Sequence, residues 1–160
     1  MSETVIRIAA KGDGVTADGR HIAFGVPGDV VQADGALVPG PHHVDPPCRH
    51  FPACGGCQLQ HADETAQRQF VTERVLYAAE GQGLATGELL PTHLSPARSR
   101  RRATLHGLKT ADGAVLGFRE AGSHRVVDMR ECHILRPELF ALVEPLRKLI
   151  AQWGGKAPVD

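Results

Sequence analysis

The chain has 160 residues, 42% of them hydrophobic and 22% charged, and its 18 Lys and Arg balance its 18 Asp and Glu. That length can bury a core in one or two domains, and the even charge excludes a uniformly polybasic nucleic-acid binder. No run of about 18 apolar residues is present, which excludes a membrane-spanning helix. The opening Met1-Ser-Glu-Thr-Val-Ile-Arg7 lacks the basic-then-apolar pattern of a signal peptide, so a cytoplasmic protein is expected.

Residues 4–32 read as β-rich. Val5–Ile8, His21–Phe24 and Asp29–Gln32 have strand character, and Asp13-Gly14, Asp18-Gly19 and Asp34-Gly35 are turn dipeptides. Short strands with close turns predict a small barrel or meander. Residues 36–47 are Pro-rich, with Pro39-Gly40-Pro41 and Pro46-Pro47, and read as an extended linker because proline donates no ladder hydrogen bond.

A helix is expected from Asp63 to about Glu80. Asp63 is suited to cap it and Glu64 to its first turn, with Gly81 and Gly83 as the stop. Ala66, Phe70 and Tyr77 are placed on one face, with Val71 and Val75 beside it.

Residues 102–129 read as strand-rich, through Ala103–His106, Val115–Phe118 and Arg125–Met129, with a hairpin turn at Asp112-Gly113. A second helix is expected over 137–151. Pro137 fits its first turn and Leu139, Leu142, Val143, Leu146, Leu149 and Ile150 keep helical spacing, while Pro145 should kink it.

Three of the four cysteines share one loop, Cys48-Arg-His-Phe-Pro-Ala-Cys54-Gly-Gly-Cys57, and the fourth, Cys132, follows 74 intervening residues later. Clustered cysteines in a reducing compartment bind metal more often than they form disulfides, and four thiolates complete a zinc or iron–sulfur site. Zinc sites usually use two Cys-x-x-Cys knuckles; only Cys54 and Cys57 make one here. A cluster is larger than one ion, so a wide first loop with one remote ligand suits it. Gly55 and Gly56 would let backbone amides approach it. Zinc, assisted by His50, His61 or His133, and a set of buried free thiols are the alternatives.

Charge is uneven. Residues 93–125 hold Arg98, Arg100, Arg101, Arg102, Lys109, Arg119 and Arg125 against Asp112 and Glu120, seven positive minus two negative, or +5. If extended, Arg100 and Arg102 point one way and Arg101 the other. Guanidinium groups grip phosphate in a bidentate way, and Lys11 could extend the surface; a solvated basic face is the simpler reading of the charges alone.

These segments resemble a known family. Cys48-x5-Cys54-Gly-Gly-Cys57-Gln-Leu-Gln-His61 is similar to the cluster motif of bacterial RNA uracil-5-methyltransferases, and Gly117–Leu135 resembles the segment carrying the family's fourth ligand. Arg100–Leu105 resembles the basic strand of its central domain. Ile6–Val15 and Val26–Asp29 look like its OB-like TRAM domain, an RNA-binding module. The ribosomal-RNA enzymes are the nearer subtype, ahead of tRNA-directed relatives.

The resemblance implies a [4Fe-4S] cluster on Cys48, Cys54, Cys57 and Cys132, and methyl transfer from S-adenosylmethionine to C5 of a uridine after a cysteine adds to C6. It implies RNA contacts by Arg98, Arg100, Arg101, Arg102, Arg119 and Arg125. The family continues past the position of Asp160 into a Rossmann-like methyltransferase domain that binds S-adenosylmethionine, so no catalytic residue is assigned here. Methyl transfer moves no net electrons, and the expected role of the cluster is architectural, tying Cys132 to the loop.

The expected fold is α+β: a truncated TRAM or OB-like β unit with a Pro-rich linker over 1–45, an iron–sulfur loop and helix over 46–90, and the start of a central RNA-binding domain over 91–160. The expected function is the N-terminal, RNA-recognition and cluster-holding portion of such an enzyme. The rival is a stand-alone zinc-binding RNA-interaction module with no catalytic activity.

Overall fold

In the computed structural model residues 2–153 are described, and 154–160, the end of the third expected domain, lie outside them. The fold is α+β, in two compact units: residues 1–45 with 59–94, and residues 46–58 with 95–160. Helix residues 64–80 thus group with the β unit, and the three-cysteine loop with the C-terminal unit.

The β unit is a five-stranded antiparallel sheet, β1 (Glu3–Ile8), β2 (Gly14–Thr16), β3 (His21–Ile22), β4 (Val30–Val31) and β5 (Leu37–Val38), in the order β3-β2-β1-β4-β5. β1 is central, pairing Val5 with Thr16 on one side and Glu3 with Val31 on the other, with a bulge between Val5 and Arg7 on the β2 side. Two strands went unread in the sequence. β2 is three residues long and β5 two, too short to show alternation, and β5 lies inside the expected linker.

The rest of that linker is pinned. The buried carboxylate of Asp29 accepts from the amides of Val26 (2.8 Å) and Gly40 (2.7 Å) and pairs with His43 Nδ1 at 2.8 Å. His42 Nδ1 lies 2.9 Å from Asp63 Oδ2. Gly40, His42 and His43 thus hold a segment whose prolines cannot join a ladder.

Helix α1 (Glu64–Glu80) begins as expected: Asp63 Oδ1 accepts from Ala66 N at 2.8 Å. Its predicted face is only partly used. Ala66 and Phe70 are buried against Ile8, Val26 and Ala62, but Val75 and Tyr77 are exposed. The buried core of the β unit reaches the helix only as far as its second turn, at Phe70.

The second unit contains the hairpin β6 (His106–Thr110) and β7 (Gly113–Gly117), with Thr110 opposite Gly113. β6 starts three residues later than the expected strand because hairpin register grows outward from the turn. Residues 125–129, read as a third strand, lie along β7 without regular strand geometry. Val127 N donates to Phe118 O (2.8 Å) and Met129 N to Leu116 O (3.0 Å).

The expected single helix is two, α2 (Pro137–Phe140) and α3 (Val143–Gln152). Pro145 forces the break, since its ring would clash with the carbonyl of Ala141 in a continuous helix. In the first turn of α3 its missing N–H costs nothing. Leu116, Met129, Leu135, Val143 and Ile150 form the core, with Cys132 packed at its margin. A Cβ on Gly107 would come within 2.5 Å of Ile150 Cδ1, so the absent side chain is what admits α3 to the hairpin.

Candidate metal centre

All four cysteines belong to the second unit. Cys48 is buried, while Cys54, Cys57 and Cys132 are half-buried, and none is in a disulfide. Local turns shape their loop: Phe51 N donates to Cys48 O (3.1 Å) and Cys54 N to His50 O (2.8 Å). The loop is then laced to residues 119–121. Cys54 bridges Glu120, Gly55 N donates to Arg119 O (2.9 Å) and Ala121 N to Ala53 O (3.0 Å).

Cys132 is brought to the loop by its neighbours. Glu131 accepts from Arg49 N (2.6 Å) and Arg49 Nε (3.1 Å), and Arg130 N donates to His50 Nε2 (3.0 Å). Residues 49–50 and 130–131, flanking Cys48 and Cys132, are therefore knit together across 80 or more positions. The Arg49 amide, then its guanidinium, hold the Glu131 carboxyl down to about 2.

The thiols sense one another. Burial, then the charge of Glu131 and of Cys57, pushes Cys48 up; burial, then Cys57, Cys48 and Cys132, pushes Cys54 up. Against that, the His50 amide favours the Cys48 thiolate and the Gly56 amide the Cys54 thiolate. Cys48 and Cys54 thus each resist ionisation in part because of neighbouring cysteines, an opposition that a bound positive centre would relieve.

The two glycines differ in role. The Gly55 amide is spent on Arg119 O, and a Cβ there would lie 2.7 Å from that oxygen; a Cβ on Gly56 would lie 2.9 Å from the Phe118 ring. Only the Gly56 amide serves a sulfur.

Among the described residues, no three His, Cys, Asp or Glu side chains are gathered as ligands around one metal-ion position. The histidines are otherwise engaged. His50 accepts from Arg130 N, His133 Nε2 lies 3.7 Å from Glu131 Oε1, and His61 is buried in the β unit beside the rings of Phe24 and His43.

The basic residues are exposed in two groups on this unit. Arg98–Arg102 is not a regular strand; it docks on the segment following Cys132. Arg98 N donates to His133 O (2.9 Å), Arg100 N to Ile134 O (2.9 Å) and Arg136 N to Arg100 O (3.1 Å). Arg119 and Arg125 flank the turn that pairs with Cys54, and Arg125 Nε lies 3.1 Å from Glu120 Oε1. Both groups thus hang on the backbone framework of the cysteines. Arg49, Glu131 and the His50–Arg130 contact were missed in the sequence; charges next to both Cys48 and Cys132 were the only signal.

Fold and site together define a small α+β protein in which the segment of Cys132 is laced to the three-cysteine loop and two arginine groups stand on the same frame. Its relatives are RNA methyltransferases. It is 44% identical over 149 residues to an uncharacterised RNA methyltransferase of Zymomonas mobilis, covering 93% of this chain and 38% of that protein. It is 41% identical over 161 residues to one of Caulobacter vibrioides, covering 91% and 39%. To the 23S rRNA (uracil(1939)-C(5))-methyltransferase of Pectobacterium atrosepticum it is 39% identical over 119 residues, covering 72% and 26%. The chain thus spans about two-fifths of the length of its more extensive matches. No family model matches it. Among the described residues no helix is long and apolar enough to cross a membrane.

Proposed function

We propose that this chain is the RNA-recognition and cluster-holding portion of an S-adenosylmethionine-dependent RNA uracil-5-methyltransferase acting on ribosomal RNA. In this reading Cys48, Cys54, Cys57 and Cys132 hold a [4Fe-4S] cluster, and residues 1–45 are a TRAM-type RNA-binding unit. Residues 46–90 carry the cluster loop and helix, and 91–160 open the central RNA-binding domain. S-adenosylmethionine and the catalytic groups belong to polypeptide outside these residues.

The observation that carries the reading is the shared frame: the backbone that laces the three-cysteine loop to the segment of Cys132 also carries Arg98–Arg102 and Arg119–Arg125. A bound cluster would supply iron–thiolate bonds joining the loop to Cys132. This chain's own residues then present guanidinium groups to phosphate, which positions an RNA without reading its sequence. The 23S rRNA relative favours ribosomal RNA.

Anaerobic purification with absorbance and iron, sulfide and zinc analysis tests it. A brown protein with about four irons and four sulfides per chain, lost in Cys48→Ser or Cys132→Ser, is the expected result. A colourless protein with about one zinc would replace this reading by the zinc-binding module. A folded, metal-free chain would remove the centre altogether.

A further inference from the structure

Arg147 stands where helix α3 should carry a hydrocarbon. Val143, Arg147 and Ile150 follow one another at helical spacing, and all three are buried. Val143 and Ile150 join Leu116, Met129 and Leu135 in the core of the second unit. Arg147, between them, is only 9% exposed. Taking a guanidinium out of water is costly, and an apolar side chain of similar volume commonly holds a core as well or better. Core stability therefore gives no reason for an arginine at this position.

Its contacts give one. Arg147 Nη2 donates to Asp128 Oδ1 (2.8 Å) and to the backbone carbonyl of Met129 (3.0 Å), while Nη1 donates to Glu144 on the same helix. The other carboxylate oxygen of Asp128 pairs with Arg130. The next two residues are tied to the cysteine loop: Arg130 N donates to His50 Nε2 and Glu131 accepts from Arg49. Residues 128–131 are thus a strap, gripped by α3 at its start and by the loop at its end, and Cys132 is the residue that follows. One guanidinium holds a side chain and the main chain of adjacent residues at once, in a planar, directional geometry that neither a hydrocarbon nor an ammonium reproduces.

We propose that Arg147 is a positioning residue for Cys132: through residues 128 and 129, helix α3 sets where the remote thiol meets the three-cysteine loop. The proposal rests on the reading that the four cysteines hold a cluster. Coupling of this kind is reciprocal, so a loaded centre also holds the strap against α3.

The test challenges the 160-residue chain, purified anaerobically and loaded with iron and sulfide, with a ferrous chelator while visible absorbance and circular dichroism are followed. Arg147→Met keeps much of the volume and removes the guanidinium. It should keep the helical signal, lose iron at least about tenfold faster than the parent, and alter the thiolate-to-iron absorption. Arg147→Lys, with one compact charge for two acceptors, should fall between. Asp128→Asn changes the strap and leaves Arg147 in place; it too should speed iron loss, and its effect should not add to that of Arg147→Met. Val143→Ala thins the same core with both bonds of Arg147 intact, and should retain iron as the parent does. If Arg147→Met fails to fold, Asp128→Asn against Val143→Ala decides the matter. Iron retained as in the parent by Arg147→Met and Asp128→Asn, or lost as fast from Val143→Ala, would overturn the proposal and leave the cluster reading standing. A parent chain that takes up no iron would overturn both.

Discussion

Glu131 accepts two hydrogen bonds from Arg49, one from its amide at 2.6 Å and one from its guanidinium at 3.1 Å. The pair joins the residue after Cys48 to the residue before Cys132. The remote thiol therefore reaches the loop through a side chain that is not itself a ligand.

If the four cysteines hold the proposed cluster, Glu131 is a positioning residue for it. Groups that orient ligands typically contribute about 10- to 100-fold to metal affinity. Glu131→Ala should keep the fold by circular dichroism but lose iron to a chelator at least about tenfold faster than the parent. Unchanged iron retention would show that Cys132 is placed without the Arg49 pair.

Gly56 is closed to any side chain by the Phe118 ring, 2.9 Å from where a Cβ would sit. Gly56→Ala should destabilise the protein by about 1–3 kcal/mol through overpacking. Phe118→Leu in the same chain should recover part of that loss, a non-additivity expected of residues in contact. Additive losses in thermal unfolding would refute the steric account.

Asp63 caps α1 through Ala66 N at 2.8 Å and also holds His42. Asp63→Ala should cost about 1 kcal/mol, a fall of roughly 2–4 °C in melting temperature. Asp63→Asn retains a capping oxygen and should lose less.

His61 is buried, and burial first, then the neighbouring His43, pushes its pKa below the ordinary 6.5. The unfolded chain then binds this proton more readily than the folded one, so stability falls as pH drops below 6.5. Asp29, beside His43, works in the opposite direction without reversing the shift. His61→Gln should flatten the fall of the stability profile below about pH 6.5. An unchanged slope would assign the acid sensitivity to other groups.

Arg101 and Arg102 are exposed, and no carboxylate among the described residues pairs with them. If they contact phosphate, Arg101→Ala and Arg102→Ala should each lower the salt dependence of RNA binding by about one unit of slope, uniformly across RNA sequences. A loss confined to one sequence would mean base contact instead.

What local chemistry encodes was legible. Asp63 ahead of a 17-residue run closed by Gly81 announced α1 and its cap, Asp112-Gly113 placed the hairpin, and Pro145 marked where a long helix would fail. β2 and β5 were not legible, because two or three residues carry no periodicity and are strands only by virtue of their partners. Residues 125–129 had the right composition for a strand but take a looser path along β7, which neighbouring residues cannot announce.

The sequence by itself determined the donor set: four thiols, their spacing, and the arginines, all of which are properties of residue type and order. Only the tertiary structure decided that the three-cysteine loop folds with Cys132 rather than with α1, that Glu131 clamps Arg49, and that His42 and His43 fasten a proline-rich segment to Asp63 and Asp29. Those contacts join residues between 14 and 82 positions apart. Their energies depend on burial and geometry created by the whole chain, and no local window of sequence contains them.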